Sequence, residues 1–586
     1  MADATFDTPA PRSGIAAFLE RSALVMFGLG FAAGMPNQLA NTALVIWLRE
    51  AGASLALIGL ITLATLTYAL KFLWAPVVDR VAIPVLDKAL GRRRSWMLVT
   101  QVAVIFGLLL LATRDPATGF TAAGDATAAF IPFAVITVLI ALAGATQDIA
   151  IDAWRIEVAK DDARLSVLTA TYQWGYRIAI LLSGALPLFI AQWINGDDYA
   201  WAGWAVAYAA MAGFMLFAVF ATLSAPREDA APAPRWVAPA DIPDRPAFEA
   251  LEWAGRLALM GFAACLLGAG LSGRPDPIAW LVGGLYGGIE PMREAFAARP
   301  WGVWQQFGYV IAGLGLLATA CMAIPGVRTK PAAYFNAAMG EPLRDFFRRY
   351  ESVATLILVF ICVYRIADFI LNLASTLYLD AGFSKDEIAT VQKFFGAAMS
   401  ALGAGFAAWA VLKIGLFRCL IIGAFLQPLS NLCFCLIALN GAQTHLLYLA
   451  IAVDNISNMF AGTCLIVYMS RLTQEGFTAT QYAFFSSLYA MPGKLISALS
   501  GRVVEGAAQA SNGGYLSFIT PWFSNLPADA FVEGAEKLGV APANLAAGYA
   551  TFFFYSALIG IVGVVAAFVI ANGRAREVME KRAAPA

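Results

Sequence analysis

Long apolar stretches separated by short polar connections dominate the pattern of this chain. A helix needs roughly 20 apolar residues to cross a bilayer, so we predict about fourteen spanning helices. Because backbone in lipid must satisfy its own hydrogen bonds, we predict an all-α polytopic membrane protein. The predicted spans are residues 22–48, 55–78, 95–113, 128–154, 165–192, 201–224, 253–272, 302–325, 353–379, 387–411, 416–438, 445–470, 480–506 and 546–571.

Basic residues alternate between the predicted connections and indicate an orientation. The 2–3 connection holds Arg80, Lys88 and residues 92–94, all basic, whereas the 3–4 connection holds only Arg114 and the 5–6 connection holds none. Cytoplasmic loops carry the excess of Lys and Arg, so both termini are predicted to be cytoplasmic. The first apolar run is expected to stay as a spanning anchor, because no cleavable signal precedes it.

Two parts of the chain echo each other. Ala-Gly-x-Ser-x-x-x-Ile occurs at residues 51–58 and 381–388, and a basic residue precedes Ser-Gly by the same spacing at Arg177 and Lys494. Such a parallel repeat is typical of the major facilitator fold. We predict an N-terminal six-helix bundle (1–224), cytoplasmic linkers with two additional helices (225–350) and a C-terminal six-helix bundle (351–586). The insertion at 507–545 is predicted to be a surface loop, with a substrate lid as the alternative.

Composition agrees with the membrane prediction and excludes several functions. Hydrophobic residues form 60% of the chain and charged residues only 13%, about half the ~25% of soluble domains. The net charge of zero gives no electrostatic argument for nucleic acid. With His445 as the only histidine and seven scattered cysteines, no metal site or cofactor is expected.

Acidic side chains inside apolar helices are the main functional candidates. Asp148 and Asp152 lie four residues apart, on one face of the fourth predicted helix. A carboxylate is costly in such a setting and usually marks a functional site. Both are proton-coupling candidates, and a structural salt bridge is the alternative. Asp368 and Asp454 are further proton-coupling candidates in the second half.

Cations and polar groups in neighbouring helices are candidates for substrate binding. Arg177 is interpreted either as the counter-ion of Asp148 or as an anchor for a substrate carboxylate. Lys71 either has a similar role or snorkels to the interface. In the second half, Arg365 is expected to pair with Asp368, and Lys393 with Asp454. The complete set of substrate-binding candidates is Lys71, Gln147, Tyr176, Arg177, Arg365, Asn372, Lys393, Asn455 and Lys494.

A conformational gate is predicted where the second helix ends. Asp79 and Arg80 are followed by Arg92, Arg93 and Arg94, as in the 2–3 loop signature of major facilitators. The acid is expected to face a helix N-terminus or an Arg of the other half, because helix N-termini attract negative charge. The alternative is an ordinary positive-inside loop.

Several motifs resemble those of the AmpG muropeptide permeases, a branch of the major facilitator superfamily. The most specific are residues 70–80 (LKFLWAPVVDR), 145–154 (ATQDIAIDAW) and 477–482 (FTATQY). The resemblance implies proton-driven import of GlcNAc-1,6-anhydro-MurNAc peptides across the bacterial inner membrane, for cell-wall recycling and β-lactamase induction. The sequence contains no HExxH or G-x-S-x-G motif, so no enzymatic activity is expected, and the protein is predicted to be a monomer. A carrier for another amphiphilic anion, such as a CoA ester or a drug-like compound, is the alternative.

Overall fold

The computed structural model describes most of the chain and shows a helical protein. The described residues are 14–54, 57–58, 61–121, 126–159, 161–196, 198–228, 238–298, 301–322, 324, 328–368, 373–497 and 500–583. Their only β pairing is an isolated bridge between Phe120 and Ala126. Within these ranges, nine helices are long and apolar enough to cross a membrane. The predicted all-α membrane class is therefore confirmed.

The first half contains six predicted spans, and the second of these is broken. The helices are α1 (Arg21–Gln38), α2 (Leu44–Glu50), α3 (Leu66–Leu70), α4 (Ala75–Arg80), α5 (Leu86–Leu90), α6 (Arg92–Ala112), α7 (Ile131–Val158), α8 (Asp162–Asn195) and α9 (Trp201–Ser224). A π-helical segment, Leu39–Ala43, joins α1 to α2. The 3₁₀ segment Lys71–Leu73 interrupts the second span between α3 and α4. The prediction of one continuous helix over 55–78 is therefore wrong at Lys71.

Glycines bring α1 and α8 into close contact. A Cβ on Gly30 would lie 2.1 Å from the carbonyl oxygen of Tyr172, and one on Gly175 would lie 1.9 Å from that of Phe27. Neither contact is possible for a larger residue without moving the backbone. Small residues of this kind are common where membrane helices pack closely.

The additional helix pair lies beside the meeting point of the two halves. Its long helices are α10 (Pro246–Ser272) and α13 (Trp301–Cys321), with α11 (Asp276–Val282) and α12 (Ile289–Ala297) between them. Gly270 packs on Val310, and Gly313 packs on Leu267. The short helices α14 (Lys330–Phe335) and α15 (Glu341–Tyr350) then lead to the second half.

The second half is again helical, with interruptions at two predicted spans. Its helices are α16 (Ala354–Val363), α17 (Ala374–Ala381), α18 (Lys385–Ala389), α19 (Gly396–Ile414), α20 (Leu416–Asn440), α21 (Thr444–Arg471), α22 (Thr478–Ser497), α23 (Ser500–Ser511), α24 (Val532–Leu538), α25 (Pro542–Asn572) and α26 (Arg574–Ala583). The predicted helix over 353–379 is wrong as a single element, because turns follow Val363. The insertion at 507–545 is also not a plain loop, since it contains α24. This helix packs beside Asp380, and Asp380 also accepts a hydrogen bond from Tyr549 Oη.

Buried apolar side chains fall into separate cores. One core is built almost entirely from residues 23–317, and two others are built from residues 346–579. Ala479 and Ala483 of α22 join the first core, and Leu165 of α8 joins a core of the second half. The halves therefore meet through α8 and α22. The domain boundaries at 224 and 350 stay a prediction.

Candidate transport site

The break in the second span places a cation against the acids of α7. Lys71 Nζ donates a hydrogen bond to Asp148 and lies 3.4 Å from Asp152 Oδ2. The Lys71 side chain is 7% exposed, while that of Asp148 is 17% exposed. Lys71 therefore does not snorkel to the interface. It is the counter-ion of Asp148, a role that was one of the two interpretations of Arg177.

Asp152 is shared between two cations. Its second oxygen, Oδ1, lies 2.9 Å from Arg155 NH1, one helical turn along α7. Asp148, Asp152, Lys71 and Arg155 together form what we call the Lys71 cluster, which contains two acids and two bases. Buried charges are tolerated in a bilayer when they are paired in this way. Protonation of one acid would leave a cation in excess and would change the balance of the whole cluster.

Aromatic residues extend the Lys71 cluster to the other half of the molecule. Tyr172 Oη donates a hydrogen bond of 3.0 Å to Asp148 Oδ1. The Arg155 guanidinium lies 5.6 Å from the ring centre of Tyr172 and 5.3 Å from that of Tyr482. Tyr482 belongs to α22, so a change at the acids of α7 has a direct physical route to the second half.

A second ionic group lies around the break after α16. Arg365 forms an ion pair with Asp368, as predicted from their spacing. Asn458 Nδ2 donates a hydrogen bond of 2.8 Å to Asp368 Oδ1, and Arg365 lies 5.7 Å from the ring centre of Tyr489. Irregular backbone at membrane depth is tolerated where it is buried in protein or lines a cavity. The break therefore places Asp368 and Arg365 together between neighbouring helices.

Arg177 lies between the two ionic groups. Its NH2 group is 3.5 Å from Met459 Sδ on α21, across the boundary between the halves. Arg177 Nε, Arg365 Nε and Asp454 Oδ1 are buried without a hydrogen-bond partner in the described part of the chain. Arg177 is thus available to an anion that enters between α8 and α21.

Gln147 and Tyr68 add further free polar atoms on the first-half side. Both side-chain polar atoms of Gln147, and the hydroxyl of Tyr68, are buried without a partner among the described residues. A buried polar group left unpaired costs about 1–3 kcal/mol, so such groups normally bind water or a ligand. Their position beside Asp148 is suited to binding a polar molecule next to the Lys71 cluster.

Asp79 joins the halves at one end of the bundle. Its carboxylate accepts hydrogen bonds from the backbone N atoms of Ala479 (3.1 Å) and Thr480 (2.8 Å), and from Thr480 Oγ1 (2.6 Å). These donors form the first turn of α22, where an unpaired N–H and the helix dipole both favour an anion. The acid therefore faces a helix N-terminus of the other half, one of the two predicted arrangements.

The arginines that follow Asp79 have different roles. Arg93 NH2 contacts Asp79 Oδ1 at 2.8 Å and Glu157 Oε1 at 2.5 Å, and Arg92 NH1 donates to the Asp79 carbonyl at 2.5 Å. Arg80 donates to the Ala337 carbonyl. Arg94 instead bonds carbonyls of Thr222 and Leu223 at the end of α9. Arg93 belongs to the first half, so the alternative of an arginine from the other half is wrong.

The remaining candidates lie in varied places. Asn455 Oδ1 accepts a hydrogen bond of 2.7 Å from Ser400, and Tyr176 packs 5.9 Å from Tyr172 between ring centres. Lys393 is exposed, and no ion pair with Asp454 is found in the described part of the chain. The π-helical segment Thr390–Phe395 changes the face on which Lys393 lies. Asn372 and the side chain of Lys494 lie outside the described residues.

Sequence reasoning missed several members of these groups. Thr480 and Tyr482 occur in a family-like motif at 477–482, but no role was assigned to them. No role was assigned either to Glu157, near the end of α7, which contacts Arg93. The sequence did contain a signal for Thr480: the motif at 477–482 lies at the start of a predicted helix. The first turn of a helix has free N–H donors that can bind an acid.

Comparison with known proteins agrees with the fold and with the motifs. Residues 23–219 match the family model described as acetyl-coenzyme A transporter 1. The anhydromuropeptide permease of Escherichia coli K12 is 26% identical over 83% of this chain and 74% of its own length. A Rickettsia conorii protein that carries the AmpG 4 name is 23% identical, over 82% of this chain and 89% of its own length.

A solved structure supports the same architecture. The major facilitator superfamily proton:xylose symporter XylE, bound to 6-bromo-6-deoxy-D-glucose, matches with a TM-score of 0.50 and 13% identity. The match covers 94% of this chain and 95% of that one. At this identity the likeness concerns the fold alone. Together, the fold and the permease relatives support a multi-pass membrane transporter that has the major facilitator fold and is similar in sequence to the AmpG permeases.

Proposed function

We propose that the protein imports anhydromuropeptides, GlcNAc-1,6-anhydro-MurNAc peptides, together with protons. The observation that carries the proposal is the Lys71 cluster, in which the buried Asp152 and the partly buried Asp148 lie near unpartnered polar atoms. The similarity to a permease named for this substrate gives the cargo class. The protein would work as a monomer in the bacterial inner membrane, moving cargo from periplasm to cytoplasm for cell-wall recycling and β-lactamase induction.

Proton coupling is assigned first to Asp148. Its carboxylate is more exposed than that of Asp152, the other partner of Lys71, and its ion pair with Lys71 is lost when it takes up a proton. Lys71 then moves towards Asp152, which alters the Arg155 contact with Tyr482 in the other half. Asp368 and Asp454 are the second-half candidates for the same task.

Cargo recognition is assigned to cations and amides between the halves. Arg177 and Arg365 would bind the carboxylates of the peptide stem, because both have a buried N–H without a partner among the described residues. Gln147, Asn455 and Tyr176 would bind amides and hydroxyls of the sugars. Lys393, which is exposed, is proposed as a further contact for substrate carboxylates. Asn372 and Lys494 are also proposed as substrate contacts, on the sequence pattern alone.

The Asp79 contacts are proposed to act as the cytoplasmic gate. Hydrogen bonds between the halves at Asp79 support a form closed at this end. Trp174 Nε1, which donates to the Ala401 carbonyl at 2.8 Å, adds a contact between the halves further along α8. With the positive-inside rule, this end and both termini are cytoplasmic. Cargo would enter from the periplasm in this form, and release would require Asp79 to leave α22.

Uptake into proteoliposomes tests the proposal. Labelled anhydromuropeptide should accumulate when the side from which cargo enters is acidic, and a protonophore should abolish the accumulation. Liposomes with the Asp148→Asn protein provide the control for proton coupling. Failure of the wild-type protein to accumulate the label under any pH gradient would contradict the assignment.

A carrier for a CoA ester is the second candidate. The match of residues 23–219 to the acetyl-coenzyme A transporter 1 family model supports it. This cargo is also an amphiphilic anion, so Arg177 and Arg365 suit it as well. Competition decides between the two: unlabelled acetyl-CoA should leave anhydromuropeptide uptake unchanged if the first proposal is correct.

A further inference from the structure

An apolar cavity lies between the additional helices and the core. It has a volume of about 640 Å³ and is lined by α13, α15 and the first turns of α22. This volume is within the ~300–1,000 Å³ of small-molecule sites. Leu317, Leu343 and Phe484 are among its lining residues, so its interior suits a hydrocarbon chain rather than a sugar. Phe72 lines it, but none of the four residues of the Lys71 cluster does.

The surroundings of the cavity indicate access from the bilayer. Leu314 of α13, the helix predicted as the span 302–325, and Met322, directly after α13, line the cavity and are 40% and 66% exposed. Ile311, one turn before Leu314, is 68% exposed. At membrane depth these exposed apolar side chains face lipid. A lipid chain can therefore enter laterally, beside α13.

The mouth of the cavity carries a positive charge. Arg344 is exposed, is the charged residue of the lining, and donates a hydrogen bond to the neutral side chain of Asn336. The acids of the same short helix have other partners: Glu341 lies 3.4 Å from Arg80, and Asp345 lies 2.7 Å from Arg349. Arg344 is thus free to bind an anionic group at the membrane surface.

The cavity also touches the residues that hold Asp79. Thr480 and Gln481 form part of its wall. Gln481 Nε2 donates to the Pro342 carbonyl at 2.8 Å, and its Oε1 accepts from Arg349 at 3.0 Å. A molecule in the cavity therefore packs against the first turn of α22, next to the residue that donates to the Asp79 carboxylate.

We propose that this cavity binds an anionic phospholipid, with an acyl chain among the apolar residues and the phosphate on Arg344. The bound lipid stabilises the first turn of α22 and so favours the form in which Asp79 is engaged. Anionic lipids are attracted to basic groups at a membrane surface by about 1 kcal/mol per Lys or Arg. The proposal does not depend on which cargo is transported.

Native mass spectrometry of the full chain tests the site. The protein is released from nanodiscs that contain equal amounts of phosphatidylglycerol and phosphatidylethanolamine, and the retained lipid is identified. Wild-type protein should retain phosphatidylglycerol in preference to phosphatidylethanolamine. Arg344→Gln should lower this retention about fivefold, and Ala318→Trp, which fills the cavity from α13, should abolish it.

Matched controls use neighbours that do not line the cavity. Arg348→Gln, on the same short helix, and Thr319→Trp, beside Ala318, should leave retention unchanged, since both residues are exposed outside the lining. Equal retention of the two lipids, or retention of phosphatidylglycerol that both cavity variants leave unchanged, would overturn the proposal. If Ala318→Trp fails to fold, Arg344→Gln decides the outcome alone.

Hydrogen exchange measures the effect on the gate. Amides of residues 479–480 should exchange more slowly in phosphatidylglycerol nanodiscs than in phosphatidylethanolamine nanodiscs, and Arg344→Gln should remove the difference. Exchange that is the same in both lipids would overturn the proposed stabilisation of α22, whatever the retention experiment shows.

Discussion

Thr480 donates two hydrogen bonds to Asp79, from its backbone N at 2.8 Å and from its hydroxyl at 2.6 Å, although 401 residues separate them in the chain. The pair connects the end of the second span to the start of α22. Because both residues are buried, water does not compete for these bonds. The contact is therefore a defined point at which the two halves hold each other.

Thr480→Val should weaken this contact while keeping the shape of the side chain. A hydrogen bond to a charged group contributes about 1.5–3 kcal/mol, so the form open at the Asp79 end should gain at least about tenfold in population. Ala483 is 1% exposed in the closed form. A cysteine at this position should therefore be alkylated faster in the Thr480→Val protein than in the protein with Thr480, as measured by peptide mapping. Thr473→Val is the control, because its hydroxyl bonds only the Ser470 carbonyl nearby. Unchanged alkylation would argue against a gate at Asp79.

Asp148→Asn should abolish proton-driven accumulation and leave counterflow exchange partly intact. The amide keeps the size of the side chain and can bond Tyr172, but it cannot take up and release a proton. Accumulation and counterflow are measured in the same proteoliposomes. Asp276→Asn is a matched control, because it removes an ion pair with Arg293 in the additional helices, away from the Lys71 cluster. Full accumulation by the Asp148 variant at neutral and acidic pH would contradict its role.

Lys71→Met should destabilise the protein, because it leaves Asp148 without its cation. Breaking a buried ion pair from one side costs about 3–5 kcal/mol. The double variant Lys71→Met with Asp148→Asn should recover part of this loss, with a coupling free energy of about 0.5–3 kcal/mol. The measurement is unfolding of the purified protein in one detergent. Strictly additive losses would show that the two side chains do not interact.

Gly175→Ala should destabilise the packing of α1 on α8. The added methyl would meet the Phe27 carbonyl oxygen at 1.9 Å, so the helices must separate. Overpacking of this kind costs about 1–3 kcal/mol. Gly213→Ala, with open space around the new methyl, should be neutral or slightly stabilising. The melting temperatures of the two variants provide the comparison, and equal values would contradict the close contact.

The sequence alone determined the features that depend on composition and on local periodicity. Apolar runs of membrane length predicted the helices, because a bilayer leaves the backbone no other way to satisfy its hydrogen bonds. The span at 201–224 coincides with α9. Motifs also carried the relationship to permeases, and the spacing of Arg365 and Asp368 predicted their ion pair.

Only the tertiary structure decided which charges pair and where helices break. Lys71, and not Arg177, became the partner of Asp148, because a 3₁₀ segment turns the second span at that point. The π-helical segment at Thr390–Phe395 likewise changed the face of Lys393. The bond from Thr480 to Asp79 depends on how two halves of one chain meet. These contacts join residues 77 positions apart for Lys71 and Asp148 and 401 positions apart for Asp79 and Thr480, and local sequence patterns do not show which distant residues meet.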